Sequence, residues 1–195
     1  MDAPIEEKIP FASALAEVRG RDVAALLNPR PVVLIGVCCN GRVNFTTVAW
    51  ITPVSHDPAM LAFAVREGCY TLSLLKETRR CSINLLDAQL AQTARWCGNH
   101  SGHTEDKGAQ VPHTLAPLPA TAHTLPHVCG ALSVLDCQVN SMQKTGDHLL
   151  VVATIDRACT RCTRDENGRI AALDTLLCVQ HDTFAQAVTI EAHHA

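Results

Sequence analysis

Apolar and polar positions along this chain follow the rhythm of strands far more than that of helices. Residues 32–38, VVLIGVC, form a β-branched apolar run and predict a buried strand. Asn40-Gly41 follows at once, a dipeptide suited to a two-residue hairpin turn. Residues 43–51 then predict the return strand, and residues 60–65 another strand after the Asp57-Pro58 turn. A helix is expected over 71–77, with Leu72, Leu74 and Leu75 toward one side, and a strand over 81–86. Asp87 is placed to cap a helix over 88–96, and Gly98 to stop it. Residues 132–144 and 148–159 predict two long strands joined at Thr145-Gly146-Asp147, and 171–179 a last strand after a turn at Asp165 to Gly168. A short helix is expected within 10–27. The proline-rich stretch 112–126 is expected to be an ordered surface excursion, because Pro117 and Pro119 oppose both helix and ladder.

The sum is about seven strands, mainly antiparallel, with short helices between them, which favours a closed or nearly closed β-barrel over a sandwich. With 195 residues and no internal repeat, one domain over 1–195 is expected. There is no Gly-x-Gly-x-x-Gly after a strand and no Gly-Lys-Ser/Thr loop, so a nucleotide-binding α/β domain is not expected.

Charge changes the picture mainly by exclusion. A formal net charge of −3 gives no field to attract nucleic acid or an anionic membrane, so any bound phosphate needs local donors. The longest apolar stretch, 31–39, is too short to span a bilayer. The acidic start, MDAPIEEKIPF, lacks the basic and apolar regions of a signal peptide, so a cytoplasmic protein is expected. In that setting the ten cysteines read as reduced thiols, with Cys38, Cys81, Cys137 and Cys178 as small core hydrophobes.

Candidate chemistry concentrates in residues 44–58, NFTTVAWITPVSHDP. Thr46, Thr47 and Ala49 are small or short and would let a flat ligand approach the strand backbone, Trp50 offers a rigid apolar wall, and Asn44 and Ser55 add polar side chains. A flavin ring needs such partners along its pyrimidine edge. Taken alone, the segment also reads as a half-buried strand followed by a proline-containing loop.

The order of several motifs adds to this. Residues 31–34 (PVVL), then Asn40-Gly41, then 44–50, then Thr52 to Ser55 and Asp57-Pro58, resemble the flavin reductase-like, FMN-binding split-barrel family, its flavoredoxin branch in particular. Arg66 with Tyr70-Thr71, Ser82-Ile83-Asn84, Cys97-Gly98, Ser101-Gly102 with Asp106-Lys107, Gly146-Asp147-His148 and His181 continue the likeness over about 28–181. The resemblance implies a split barrel, non-covalent FMN, a homodimer, and electron exchange with NAD(P)H, free flavin or a redox partner protein. It implies cofactor contacts from Asn44, Thr46, Thr47, Val48, Ala49, Trp50, Ser55, Arg66, Tyr70, Thr71, Asn84, Ser101 and Lys107, with the phosphate toward Arg66, Thr71 and Asn84. His148 is the one candidate to position nicotinamide or move a proton. Three departures stand out: Gly108 where an aromatic is usual, Ala153-Thr154 for Gly-Glu, and Ala59 for a second proline.

Each candidate has a plainer reading. Arg66 can be a solvated cation, Thr71 an ordinary cap, Asn84 a polar residue tying down a loop, His148 an exposed hairpin histidine, and Ser101 to Lys107 a solvated loop. Cys159-x-x-Cys162 with Cys178-x-x-His181 has spacing near that of a zinc ribbon. Cysteines three apart on an unbroken strand face opposite ways, however, and no metal is expected.

Overall fold

The computed structural model describes residues 16–119, 123–168, 170, 174–180 and 183–186. Its strands are β1 (Arg30–Pro31), β2 (Val33–Cys39), β3 (Arg42–Val48), β4 (Ile51–Ser55), β5 (Met60–Arg66) and β6 (Arg80–Leu85). They continue with β7 (His113–Pro117), β8 (Thr124–Val128), β9 (Ser133–Thr145), β10 (His148–Thr160), β11 (Leu176–Gln180) and β12 (Thr183–Gln186). The helices are α1 (Asp22–Ala25), α2 (Tyr70–Thr78), α3 (Ala91–Asn99) and α4 (Lys107–Gln110). None is long and apolar enough to cross a membrane.

Seven strands form one antiparallel sheet in the order β3-β2-β6-β9-β10-β5-β4. Laid flat, its two edges β3 and β4 would stand six strand spacings apart, roughly 29 Å. Yet β3 and β4 are consecutive, joined only by Ala49 and Trp50, a link reaching at most about 11 Å. The sheet therefore curls to bring its two edges together at this link, and the Ala64 amide, donating to the Trp50 carbonyl at 2.9 Å, carries the β5–β4 ladder one residue into the crossing. This is the expected antiparallel split barrel with peripheral helices. The expected single return strand over 43–51 is corrected: it leaves one edge at Val48 and re-enters at the other from Ile51. An apolar run shows that residues are extended and buried, not which edge they join.

Local chemistry sets the first hairpin. Asn40 and Gly41 have φ of 50° and 78° between the paired Cys39 and Arg42, the backbone that a two-residue turn matching strand twist requires. Strand β2 is buried on both faces. Val33, Ile35 and Val37 join Phe63, Val65, Ile83 and Val151 inside the barrel, where α2 adds Leu72 and Leu75. On the other face, Val32 and Leu34 pack with Phe45, Leu86, Ala94 and Val128 beneath α3, β8 and β11. Asp87 caps the helix that follows β6, its carboxylate accepting from the Gln89 amide at 3.0 Å, and one turn of 3₁₀ helix leads into α3. Cys81 and Cys137 face each other across β6 and β9, both buried, as the core reading expected. The Cys137 thiol is pushed far above its ordinary value by its hydrogen bond with Cys81 and by burial. Cys38 and Cys178 are only half-buried.

The proline-rich stretch forms a ladder after all. β7 pairs with β8, Pro117 opposite Thr124 and Pro126 opposite Leu115. A two-stranded ribbon has a free edge on each strand, so a proline nitrogen facing outward breaks no ladder bond. Two buried polar clusters fasten β8 to the barrel. Asn84, fully buried, donates to the Leu34 carbonyl and Ser82 Oγ at 3.0 Å and accepts from the Val128 amide at 2.8 Å. Asp136, on β9, accepts from Arg157 Nε and lies 2.7 Å from His127 Nε2. The expected helix within 10–27 is the short α1, with 10–15 outside the described residues. Of the expected strand over 171–179, positions 171–173 lie outside them too, and the rest belongs to β11, which pairs with β1 and β12 rather than with the barrel.

Candidate functional site

Where the curled edges diverge, the barrel splits. Among the described residues β3 pairs in the sheet with β2 alone, so its outer edge carries no neighbouring strand. A cleft of about 470 Å³ opens along that edge. One wall is β3 with the Ala49-Trp50 crossing, and the opposite wall is Ala64, Val65 and Arg66 at the end of β5. The start of α2 and the segment from Cys97 to Gly102 close the remaining sides, with Lys107 and His148 also reaching it.

At the Asn44 end the lining is polar and buried. Asn44 Nδ2 donates to Thr71 Oγ1 at 2.7 Å, with 2% and 0% of the two residues exposed. Thr71 lies in the first turn of α2, whose N-cap Cys69 supplies no side-chain hydrogen bond. The Leu72 amide is taken by the Cys69 carbonyl at 3.0 Å, and the Tyr70 and Thr71 N–H groups are the ones that the start of this nine-residue helix can offer to an anion. Lys107 begins α4, which Asp106 caps through the Ala109 amide at 3.1 Å. Its ammonium, 3% exposed, donates to the carbonyls of Cys97 at 2.7 Å and Phe45 at 3.1 Å. No carboxylate among the described residues pairs with it. Desolvation lowers the Lys107 pKa, opposed by the nearby Cys97 and Cys69 thiols. Burial in turn pushes the Cys97 thiol up to about 11, against the pull of Lys107.

The opposite end is aromatic. The Trp50 and His148 rings stack with centroids 4.7 Å apart. His148 pairs with Arg66 in the β10–β5 ladder, so strand register brings both to this end. His148 Nδ1 is held 2.7 Å from Asp147 Oδ1, and that hydrogen bond keeps the Asp147 carboxyl below its ordinary value. With Nδ1 engaged, Nε2 is the nitrogen left for a ligand. Between the two ends, Thr47 Oγ1 donates to the Ala94 carbonyl at 2.6 Å and Thr46 Oγ1 lies 3.8 Å from Cys69 Sγ.

The cleft thus brings together Asn44, Thr46, Thr47, Val48, Ala49, Trp50, Arg66, Tyr70, Thr71, Ser101, Lys107 and His148. Two expected residues are absent from it. Ser55 sits at the far end of β4, opposite Met60. Asn84 does not line it either; its carboxamide bonds to Leu34, Ser82 and Val128 and holds β8, as the plainer reading has it. The sequence reading missed Cys69, Cys97, His100 and Gly102 as cleft lining. Cys97-Gly98 and Ser101-Gly102 were visible only as motif blocks, with no local sign of what they face. Gly108, one of the departures, lies against β3: a Cβ there would come within 3.0 Å of Val43 Cβ and 3.1 Å of its carbonyl, so a side chain would crowd that strand. Cys159 is exposed on β10 and Cys178 half-buried on β11, while His181 lies outside the described residues. Among the described residues no three His, Cys, Asp or Glu side chains gather as a metal site would require.

The fold and the cleft together define a split antiparallel barrel with a cleft along an edge strand and a buried, cationic, polar corner at one end. Residues 26–185 match the flavin reductase like domain, and the chain belongs to that family. It is 30% identical over 112 residues to an uncharacterised protein of Archaeoglobus fulgidus, a match that spans 57% of this chain and 62% of that relative's length. In structure it is similar to an FMN-binding protein from Thermus thermophilus with bound 1-cyclohex-2-enone, at a TM-score of 0.78 and 25% identity, over 94% of this chain and 100% of that one. It shares its fold with a flavoredoxin from Methanosarcina acetivorans, at a TM-score of 0.80 and 20% identity, over 93% of this chain and 96% of that one.

Proposed function

We propose that the cleft binds FMN non-covalently and that the protein is an NAD(P)H-dependent flavin reductase. The observation carrying this reading is the pairing of a free strand edge with a buried, cationic, polar corner in one cleft. The donor set fits the cofactor. The free backbone edge of Thr46 to Val48 suits the polar rim of the ring, with Ala49 small enough to permit approach and Trp50 walling the end. The first turn of α2, Thr71 and Lys107 suit a phosphate. Arg66 lines the same cleft, its strand paired with His148 and its carbonyl accepting from the Cys69 amide just ahead of α2, which supports its expected place near that phosphate. Bound flavin supplies the redox chemistry, accepting hydride equivalents from reduced nicotinamide and passing electrons on. The protein's own part is to orient both partners at the Trp50–His148 mouth and to keep water from the buried corner. No side chain need act as an essential acid or base.

A homodimer belongs to the same reading. An apolar groove of about 380 Å³ runs past Leu27, Ile51 and Leu150 and shares Trp50 and Ala64 with the cleft. Leu26 and Leu27 are 67% and 72% exposed beside it, surface that a second copy would cover.

The test is steady-state oxidation of NADH and NADPH by the purified protein, with and without added FMN. Turnover that depends on FMN is expected. Tight FMN binding without turnover on either nucleotide would replace the reductase by an electron carrier that serves protein partners. Failure to bind any flavin would end both readings.

A further inference from the structure

The Asn44 end of the cleft is shut by a chain of contacts in which only Tyr70 and Gly102 line the cleft itself. Arg42, at the start of β3, donates to the Gly102 carbonyl at 3.1 Å, and its guanidinium lies 4.7 Å from the centre of the Tyr70 ring. Tyr70 meets the His103 ring edge-on at 5.0 Å. His103 Nε2 in turn lies 3.2 Å from the Gly68 carbonyl, just ahead of α2. Strand β3, the segment 100–105 and the start of α2 are thereby cross-tied over Asn44 and Thr71. The fit beneath the tie is close. A Cβ at Gly102 would collide with the Asn44 carboxamide and come within 2.7 Å of Tyr70 Cδ1. Asn44 and Thr71, 2% and 0% exposed, have almost no contact with solvent.

A sealed end discriminates by how a ligand terminates. A phosphate monoester is the end of its molecule and can fill a buried anion corner. A phosphate esterified on both sides must let the rest of the ligand continue past it, which here means displacing the tie. We propose that the Arg42–Tyr70–His103 tie sets the cofactor class, admitting a flavin mononucleotide and rejecting a flavin dinucleotide. The proposal rests on reading the cleft as a flavin site. Arg42 and His103 are specificity-determining residues that act through Gly102 and Tyr70 and touch no cofactor themselves.

The test measures Kd for FMN and FAD by quenching of flavin fluorescence, on the wild type, on R42A, on H103A and on the double variant, each checked for folding by circular dichroism. The wild type is expected to prefer FMN by at least about thirtyfold, and the double variant by no more than about threefold, with FMN affinity itself changing less than about threefold. If R42A does not fold, H103A alone is expected to lower the preference at least about threefold. Equal affinity of the wild type for FMN and FAD overturns the proposal and leaves flavin binding intact, as does an unchanged preference in the folded variants. A wild type that takes up neither flavin overturns the flavin reading beneath it.

Discussion

Replacing Lys107 by Met separates a phosphate contact from a scaffold contact. An ammonium has three N–H donors, and in this protein two of them meet the carbonyls of Phe45 and Cys97, at 3.1 and 2.7 Å. The third is left for a ligand at the buried corner beside Thr71. A hydrogen bond between charged partners contributes about 1.5–3 kcal/mol, so K107M is expected to raise the Kd for FMN about 10- to 150-fold. Riboflavin lacks the phosphate, and its Kd should move less than about threefold. The variant should still fold. Two carbonyls lose a donor, at about 1–3 kcal/mol each, but a desolvated cation with no carboxylate partner is removed at the same time. Quenching titrations with FMN and riboflavin on both proteins give the four constants needed. A loss equal for the two ligands would refute the reasoning, because Lys107 would then act only by holding β3 against α3.

The same lysine gives a pH signature. Burial holds its folded-state pKa below the ordinary 10.5, so between those values the unfolded chain binds the extra proton, and ligand-free stability should rise as pH climbs through that window. Urea melts should show this slope in the wild type and a shallower one in K107M. In N84A the Val128 amide and the Leu34 carbonyl lose their partner, and denaturant unfolding should show a loss of roughly 2–4 kcal/mol. FMN affinity of the folded N84A protein should stay within about threefold of wild type, and a larger change would return Asn84 to the cofactor site. H148A removes the stack on Trp50, and steady-state kinetics should show NAD(P)H oxidation falling at least about tenfold while the Kd for FMN barely moves.

Several elements were legible because their signals are local. Asn40-Gly41 encodes its own turn, Asp87 its own cap, and the run after Pro31 its own buried strand. The β7–β8 ladder was not legible, because prolines argue against a ladder unless it is known that each strand has a free edge. Nor was the break after Val48, since the residues on either side are equally strand-like.

The candidate site divides along the same line. Asn44 to Trp50 could be read together because they are neighbours along one strand, and neighbours in sequence stay neighbours in any fold. Thr71 was readable as the start of a helix, which the structure begins one residue earlier at Tyr70. Whether Asn84 and Ser55 join them depends on which face and which edge their strands present, and that follows from the register β6 takes on β9 and from where β4 meets β5. Lys107, Cys97 and Gly102 reach the cleft only because α3 and α4 pack over β3. Likewise His148 meets Trp50 only because β10, β5 and β4 lie side by side, with His148 opposite Arg66 and Trp50 bonded to Ala64. Hydrogen bonds within a turn and the alternation of a strand are set by adjacent residues. The closure of seven strands is set by twist summed over the whole sheet, which no short stretch of sequence carries.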